Sequence, residues 1–290
     1  MEYGYYPGCS LHGTAKEFDL SIKESLSGMG LTLKEVPDWN CCGASSAHET
    51  SEELALALSA RVLSQAEKAG QQTVVAPCAA CYSRLKSAAK ELAHDAELRK
   101  RINQVMGQEY SGGVTVKHVT EVYRENRDKL AATVQKPLNG LKIASYYGCL
   151  LARPKAVIDF DDAENPTTMD DLVTAFGAQP LDWSHKTECC GASFSFSRGD
   201  IAVRLVGDIL DAARLAGADI IAVACPLCQA NLDMRQAAAG QRNKTVYDLP
   251  ILYISQLIGQ AQGKSAAALG LDKHVVSAEK GWAGSSRPHQ

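Results

Sequence analysis

The spacing of apolar positions changes repeatedly along the first 130 residues, and each change marks an element. Residues 2–6 form a short apolar run that reads as a strand carrying Cys9 at its C-terminal end. Phe18, Ile22, Leu26 and Met29 fall at helical spacing and stop at Gly30, a residue that commonly closes helices. Residues 31–36 predict a second strand. Residues 52–69 predict a helix with Ser51 as N-cap and with Leu54, Leu58, Val62 and Leu63 on its apolar face. Residues 73–76 read as a short buried strand, after which a helix opens at Cys78 and runs to about Leu92.

The second half repeats the pattern. Residues 142–147 predict a strand, 169–176 a helix, 179–183 a strand and 220–224 another strand, with Ile201, Leu205, Ile209 and Leu215 marking a helix between the last two. Strand–helix–strand alternation predicts parallel sheets with right-handed crossovers. The expected fold is α/β, with two pseudo-symmetric halves, each a small, mostly parallel sheet flanked by helices. The boundary falls in residues 121–141, a charged stretch containing Pro137 and the turn pair Asn139-Gly140. The division is therefore 1–130, 140–262 and a tail over 263–290 rich in Ala, Ser and Gly, whose last residues are expected to be disordered or bound to a partner.

The cysteines turn this pattern into chemistry. Cys9, Cys41, Cys42, Cys78 and Cys81 read C-x31-CC-x35-C-x2-C, and Cys149, Cys189, Cys190, Cys225 and Cys228 read C-x39-CC-x34-C-x2-C. The surrounding words repeat as well. Cys41-Cys42-Gly43-Ala44-Ser45 answers Cys189-Cys190-Gly191-Ala192-Ser193, and Asp38-Trp39 answers Asp182-Trp183. A domain-sized duplication at an offset of 140 to 148 residues explains all ten cysteines. The predicted strands deliver these cysteines at their C-terminal ends, where open parallel sheets place their sites.

Structural disulfides fit poorly. No secretory signal is visible at Met1-Glu2-Tyr3-Gly4, a chain of 290 residues can bury a sizeable core without staples, and adjacent cysteines make poor partners. Cys78-Ala79-Ala80-Cys81 alone would suit a redox dithiol, but three further cysteines accompany it in each half. Zinc usually takes four ligands and each half offers five thiolates, a set that suits an iron–sulfur cluster better. Zinc in the N-terminal half with a cluster in the other stays open as the alternative. Glycine after each vicinal pair would let backbone N–H groups of Gly43-Ala44-Ser45 and Gly191-Ala192-Ser193 reach cluster sulfurs.

The net charge of −3, with no basic run, gives no reason to expect nucleic acid. No apolar stretch approaches the ~18 residues of a membrane span. A cytoplasmic protein is expected, brought to any membrane by a partner. His12, His48 and His185 adjoin the cysteine motifs and are candidates to donate to sulfur, with loop histidines as the simpler reading. Arg153 and Lys155 could meet an anionic substrate or merely be solvated. Tyr5, Tyr6, Tyr146 and Tyr147 are expected to pack around the sites.

The doubled C-x(n)-CCG-x(n)-C-x2-C pattern resembles the cysteine-rich CCG domain family, and within it the B subunit of heterodisulfide reductase. The resemblance spans nearly the whole chain. It includes Tyr5-Tyr6-Pro7-Gly8-Cys9, Asp38-Trp39-Asn40-Cys41-Cys42-Gly43, the 160–166 segment, Ala224-Cys225-Pro226-Leu227-Cys228 and Leu269-Gly270-Leu271-Asp272-Lys273-His274. Gly43, where methanogen members usually carry Pro, makes the chain look like the bacterial-type relatives.

The resemblance implies two noncubane 4Fe-4S clusters, each held by one five-cysteine set, and an oxidoreductase acting on sulfur groups. In the family a disulfide is cleaved between the clusters. Electrons come from a C-type subunit with cubane 4Fe-4S clusters or from a flavin-containing A-type subunit. The substrate would be a disulfide or a sulfur carrier, with pure electron relay as the competing role. Cys81 and Cys228 are taken as the candidate catalytic thiolates.

Overall fold

The computed structural model describes residues 1–44 and 46–284. The first half runs β1 (Glu2–Tyr5), α1 (Gly8–His12), α2 (Lys16–Gly28), β2 (Thr32–Glu35), α3 (Ala47–Thr50), α4 (Glu52–Lys68), β3 (Thr73–Val75), α5 (Ala79–His94), α6 (Ala96–Met106) and β4 (Thr115–Lys117). Two further helices, α7 (Val119–Glu125) and α8 (Arg127–Thr133), lead to the second half. That half runs β5 (Lys142–Tyr146), α9 (Thr168–Ala175), β6 (Gln179–Pro180), α10 (Gly199–Leu215), β7 (Ile220–Val223), α11 (Pro226–Met234), α12 (Gln236–Asn243), β8 (Ile251–Tyr253) and α13 (Ile254–Ala261), and α14 (Glu279–Gly284) follows.

Each half holds a four-stranded, all-parallel sheet, ordered β2-β1-β3-β4 and β6-β5-β7-β8. The chain leaves the central strand β1 toward β2 on one side and returns to β3 on the other, so the switch of direction lies between β1 and β3, and likewise between β5 and β7. Such switch points open a crevice beyond the strand C-termini. Cys9 and Cys78 follow β1 and β3, and Cys149 and Cys225 follow β5 and β7.

Several sequence expectations shift. The outer strands β4 and β8 were not anticipated, because three residues carry too little period to read. The predicted strand at 179–183 pairs only over Gln179–Pro180. The 121–141 stretch, where the boundary was placed, begins in helix: Glu121 sits in α7, and Leu130 in α8 is fully buried. Leu54 and Leu215 are exposed rather than on apolar faces. Residues 263–284 are no loose tail. Leu269, Leu271, Val276 and Ala278 are buried, and Gln256 in α13 donates to the Leu269 carbonyl at 3.0 Å. Residues 285–290, where a disordered or partner-bound end was expected, lie outside the described residues.

One apolar core runs through both halves. Helix α2 of the first half packs on α13 of the second, and α9 of the second packs on α7. At the α2–α13 contact Phe18 stacks on Tyr253 with ring centroids 4.0 Å apart, Ser21 and Ser255 share a hydrogen bond of 2.7 Å, and Gln262 donates to the Ser25 carbonyl at 3.1 Å. Each half thus covers its face with a helix of the other, about a pseudo-two-fold axis.

Candidate metal centre

Three matched pieces of chain build each site. The first is the turn after the leading strand. Gly8 and Gly148 sit in the left-handed region at φ +64° and +66°, immediately before Cys9 and Cys149. A Cβ on Gly8 would lie 3.3 Å from Cys81 Sγ, and one on Gly148 3.0 Å from Cys228 Sγ. Both the backbone conformation and the close approach of a thiol require glycine here.

The second piece carries the vicinal pair. Tyr6 and Tyr146 occupy the same place relative to the first cysteine of each set. The Tyr6 hydroxyl donates to the Asn40 carbonyl at 2.9 Å and the Tyr146 hydroxyl to the Glu188 carbonyl at 2.6 Å. Each accepting residue directly precedes the pair, so the tyrosine fixes how the pair enters the site. After each pair, the N–H of Gly43 donates to Cys41 Sγ at 3.5 Å and that of Gly191 to Cys189 Sγ at 3.3 Å. The amides of Ala44 and Ala192 donate to Cys42 and Cys190. Two amides after each pair thus turn to the cysteine sulfurs themselves; Ser45 lies outside the described residues.

The third piece is the C-x2-C at a helix start. Cys78 is the N-cap of α5 and Cys225 that of α11, which places Cys81 and Cys228 in the first turns. Unsatisfied N–H groups and the positive end of the helix favour thiolates at this position. Cys42 Sγ lies 3.2 Å from Cys81 Sγ, and Cys190 Sγ 3.8 Å from Cys228 Sγ.

Burial divides each set in the same way. Cys42, Cys78, Cys81, Cys190, Cys225 and Cys228 are buried, Cys9, Cys41 and Cys189 are exposed, and Cys149 is half-buried. The thiols shift one another's proton affinities in opposite directions. The hydrogen bond with Cys81, joined by the Ala44 amide and the Tyr6 hydroxyl, draws Cys42 down to about 7 against its burial. Its bond with Cys149, helped by the Gly191 amide, draws Cys189 down to about 6. Cys190 is lowered by Cys228, and Cys225 lies well below the usual thiol range through Cys228 and Cys78. The donors move the other way: Cys81, Cys228, Cys78 and Cys149 are raised, first by their thiol partners and then by burial. Tyr6 and Tyr146 are raised by burial and by four cysteines each, so both keep the proton they donate.

The inner ends of the two sets meet. Cys78 and Cys225 lie near enough across the junction between the halves to shift each other's proton affinity. Beside them lies His118, fully buried, whose Nε2 donates to the Pro77 carbonyl at 2.6 Å. Sequence reasoning missed His118. The signal it carries is the spacing His118-x2-Glu121, a capping box with histidine in the place of serine or threonine.

The other candidates have local partners. His12 pairs with Glu35 at 3.2 Å and meets Trp39 edge-on, His48 pairs with Glu49, and His185 bonds Ser184. Arg153 donates to the Ala163 carbonyl, Glu164 and Thr187, so it ties down its own loop. Tyr5 turns to Asp19, and the Tyr147 hydroxyl accepts from the Met169 amide. Of the four tyrosines, only Tyr6 and Tyr146 face the cysteines.

Among the described residues no group of three or more His, Cys, Asp or Glu gathers tightly enough for a single metal ion. The thiols, the close approach of Cys81 and Cys228 to the two glycines and the amides turned toward sulfur suit thiolate ligation of an iron–sulfur group.

The fold and sites define a duplicated, thiolate-rich α/β protein. The chain belongs to the cysteine-rich (CCG) domain family, whose profile matches residues 3–86 and 143–233. It is 33% identical over 282 residues to the 8-methylmenaquinol:fumarate reductase membrane anchor subunit of Wolinella succinogenes, covering 96% of this chain and 98% of that one. It is 31% identical over 279 residues to the B subunit of the ferredoxin/F(420)H(2)-dependent CoB-CoM heterodisulfide reductase of Methanosarcina acetivorans, covering 93% and 92%. A solved structure of a hypothetical protein from Helicobacter pylori shares the fold, with a TM-score of 0.78 at 15% identity. That match covers 96% of this chain, which spans about half (52%) of the solved one. No helix among the described residues is long and apolar enough to cross a membrane.

Proposed function

We propose that the chain is the iron–sulfur redox subunit of a heterodisulfide-reductase-like complex, acting on a disulfide or a persulfide at two noncubane 4Fe-4S clusters. The observation that carries this is the duplicated five-thiol set on matched elements, with the inner ends of the two sets facing the junction between the halves. Cys9, Cys41, Cys42, Cys78 and Cys81 would hold one cluster, and Cys149, Cys189, Cys190, Cys225 and Cys228 the other. When bound, such clusters supply electrons one at a time at a soft metal, and a disulfide that takes up two electrons and two protons leaves as two thiols.

The chain's own residues do the rest. Tyr6 and Tyr146 set the path of each vicinal pair. Gly8 and Gly148 leave room against Cys81 and Cys228. The amides of Gly43, Ala44, Gly191 and Ala192 donate to thiolate sulfur, which stabilises its negative charge. The exposed Cys9, Cys41 and Cys189 form the side open to a substrate, while the buried C-x2-C ends are kept from water. Electrons would reach the chain from a C-type subunit with cubane clusters or a flavin-containing A-type subunit, in keeping with relatives named as subunits of larger reductases.

A second reading is electron relay without chemistry on sulfur, favoured by the relative named for a fumarate reductase. The two part on one assay: the anaerobically purified chain, given artificial reductant and a panel of disulfides, turns over in the first reading and not in the second. The composition test comes first. About eight irons and eight acid-labile sulfides per chain, with no zinc, are expected. About four irons and one zinc would restrict redox chemistry to one half and overturn the paired mechanism. Cys81→Ser or Cys228→Ser should remove one cluster signal and most turnover.

A further inference from the structure

The two halves differ in the run that leads into the vicinal pair. Asp182-Trp183 begins seven positions before Cys189, whereas Asp38-Trp39 begins three positions before Cys41. The longer run contains Lys186, a buried cation that the sequence pattern did not single out. Its Nζ donates to the Asp170 carboxylate at 2.7 Å and to the Pro166 carbonyl at 3.4 Å. Only 6% of the lysine side chain and 14% of the aspartate side chain meet solvent, so the pair is largely withdrawn from water. Asp170 lies in the first turn of α9, and the ion pair therefore moors the run to that helix.

The main chain of Lys186 works on the other side. Its carbonyl accepts the N–H groups of Tyr147 at 2.8 Å and Gly148 at 3.1 Å. Gly148 immediately precedes Cys149, and Lys186 stands three residues before Cys189. The next residue, Thr187, accepts from Arg153 of the loop after Cys149 at 3.0 Å. The turn that delivers Cys149 and the run into Cys189-Cys190 are thus joined through one residue, which a buried ion pair holds in place. The first half is built differently. There Arg61 of α4 holds the run, donating to the Asp38 carbonyl at 2.8 Å and to the Asn40 side chain at 3.0 Å. Among the described residues no main-chain bond joins residues 38–41 to the Cys9 turn.

We infer that Lys186 is a positioning residue for the second five-cysteine set, fixing Cys149 relative to Cys189 and Cys190, and that the first set is assembled without an equivalent. That these thiols ligate a cluster rests on the reading above; that Lys186 holds their segments together does not. Removing one partner of a buried ion pair leaves the other charge uncompensated, so the segments should separate when Lys186 is lost. A lysine that served only overall stability would, when lost, expose the cysteines of both halves alike.

The anaerobically purified full chain is treated with iodoacetamide, and labelling of each cysteine is followed by mass spectrometry. Cys9 and Cys41 serve as controls within the same molecule. Lys186→Met should raise the labelling rate of Cys149 and Cys189 several-fold and leave Cys9 and Cys41 at the wild-type rate. Lys186→Arg keeps a cation against Asp170 and should label like the wild type. Unchanged labelling in Lys186→Met, an equal rise at all four thiols, or a rise in Lys186→Arg that matches Lys186→Met overturns the inference. If Lys186→Met does not fold, Lys186→Met combined with Asp170→Leu replaces the whole pair by apolar side chains, a change that buried sites often accept. Selective labelling of Cys149 and Cys189 in that double variant supports the positioning role, and wild-type labelling refutes it. A wild-type chain without iron would bring down the two-cluster reading, while the labelling would still decide the role of Lys186.

Discussion

At the scale of single residues, the sites depend on what side chains leave out as much as on what they contribute. Gly148 combines a left-handed backbone with a thiol 3.0 Å from where a Cβ would stand. Gly148→Ala adds about 1 kcal/mol of backbone strain and forces Cys228 aside. The expected result is a chain that keeps the iron of the N-terminal set and loses that of the C-terminal set, about half the total, as read by iron analysis and EPR. Full iron content in this variant would show that the hollow has slack. Tyr146 contributes a half-buried hydrogen bond to the Glu188 carbonyl. Tyr146→Phe should lower stability by about 1 kcal/mol in urea unfolding, with the Tyr6→Phe change giving a similar loss.

At the scale of elements, the sequence was most readable where a pattern was long or chemically marked. Helix α4, with its N-cap Ser51 accepting from Leu54 N at 3.2 Å, and α5, which opens on the first C-x2-C, lie where the sequence puts them. The three-residue strands β4 and β8 offered no period, yet they complete the sheets and deliver His118 and Tyr253. The two five-cysteine sets were legible because their spacing repeats; the residues that shape the sites were less so, since a buried histidine at a helix cap looks like any polar residue near a turn.

The same holds for the segment after α13, whose small-residue composition hid an ordered connection. Asp233 in α11 anchors it, accepting from the amides of Val275 and Val276 at 2.8 and 3.0 Å, with His274 alongside. Burial alone would raise the Asp233 carboxyl, but His274 and the two amides outweigh it and hold it below its ordinary value. A depressed carboxyl stabilises above its unfolded value and loses that contribution as pH falls through the folded one, so the anchor should release below about pH 4. Hydrogen exchange in residues 263–284 should then rise before that of β5 and β7. Asp233→Asn should bring the same early exchange at neutral pH; uniform exchange across the C-terminal half in both cases would refute the anchoring role.

At the scale of the whole molecule, the halves are one cooperative body because each lends a helix to the other. Removing the Phe18 ring from its stack on Tyr253 should cost about 3–5 kcal/mol and lower a single unfolding transition seen equally by probes in either half. Two separated transitions would mean that the α2–α13 contact is dispensable for cooperation.

The exchange of α2 onto α13 and of α7 onto α9 also speaks to ancestry. It is the geometry of an isologous homodimer, in which one patch meets its own copy across a two-fold axis. Joined end to end, two such protomers give this chain, with the meeting of Cys78 and Cys225 lying at the former axis. The pairing of two five-cysteine sets would then be older than the fusion. What the single gene added was licence for the two sides to diverge, and the histidine on one side of that axis and tyrosine on the other are where the divergence shows.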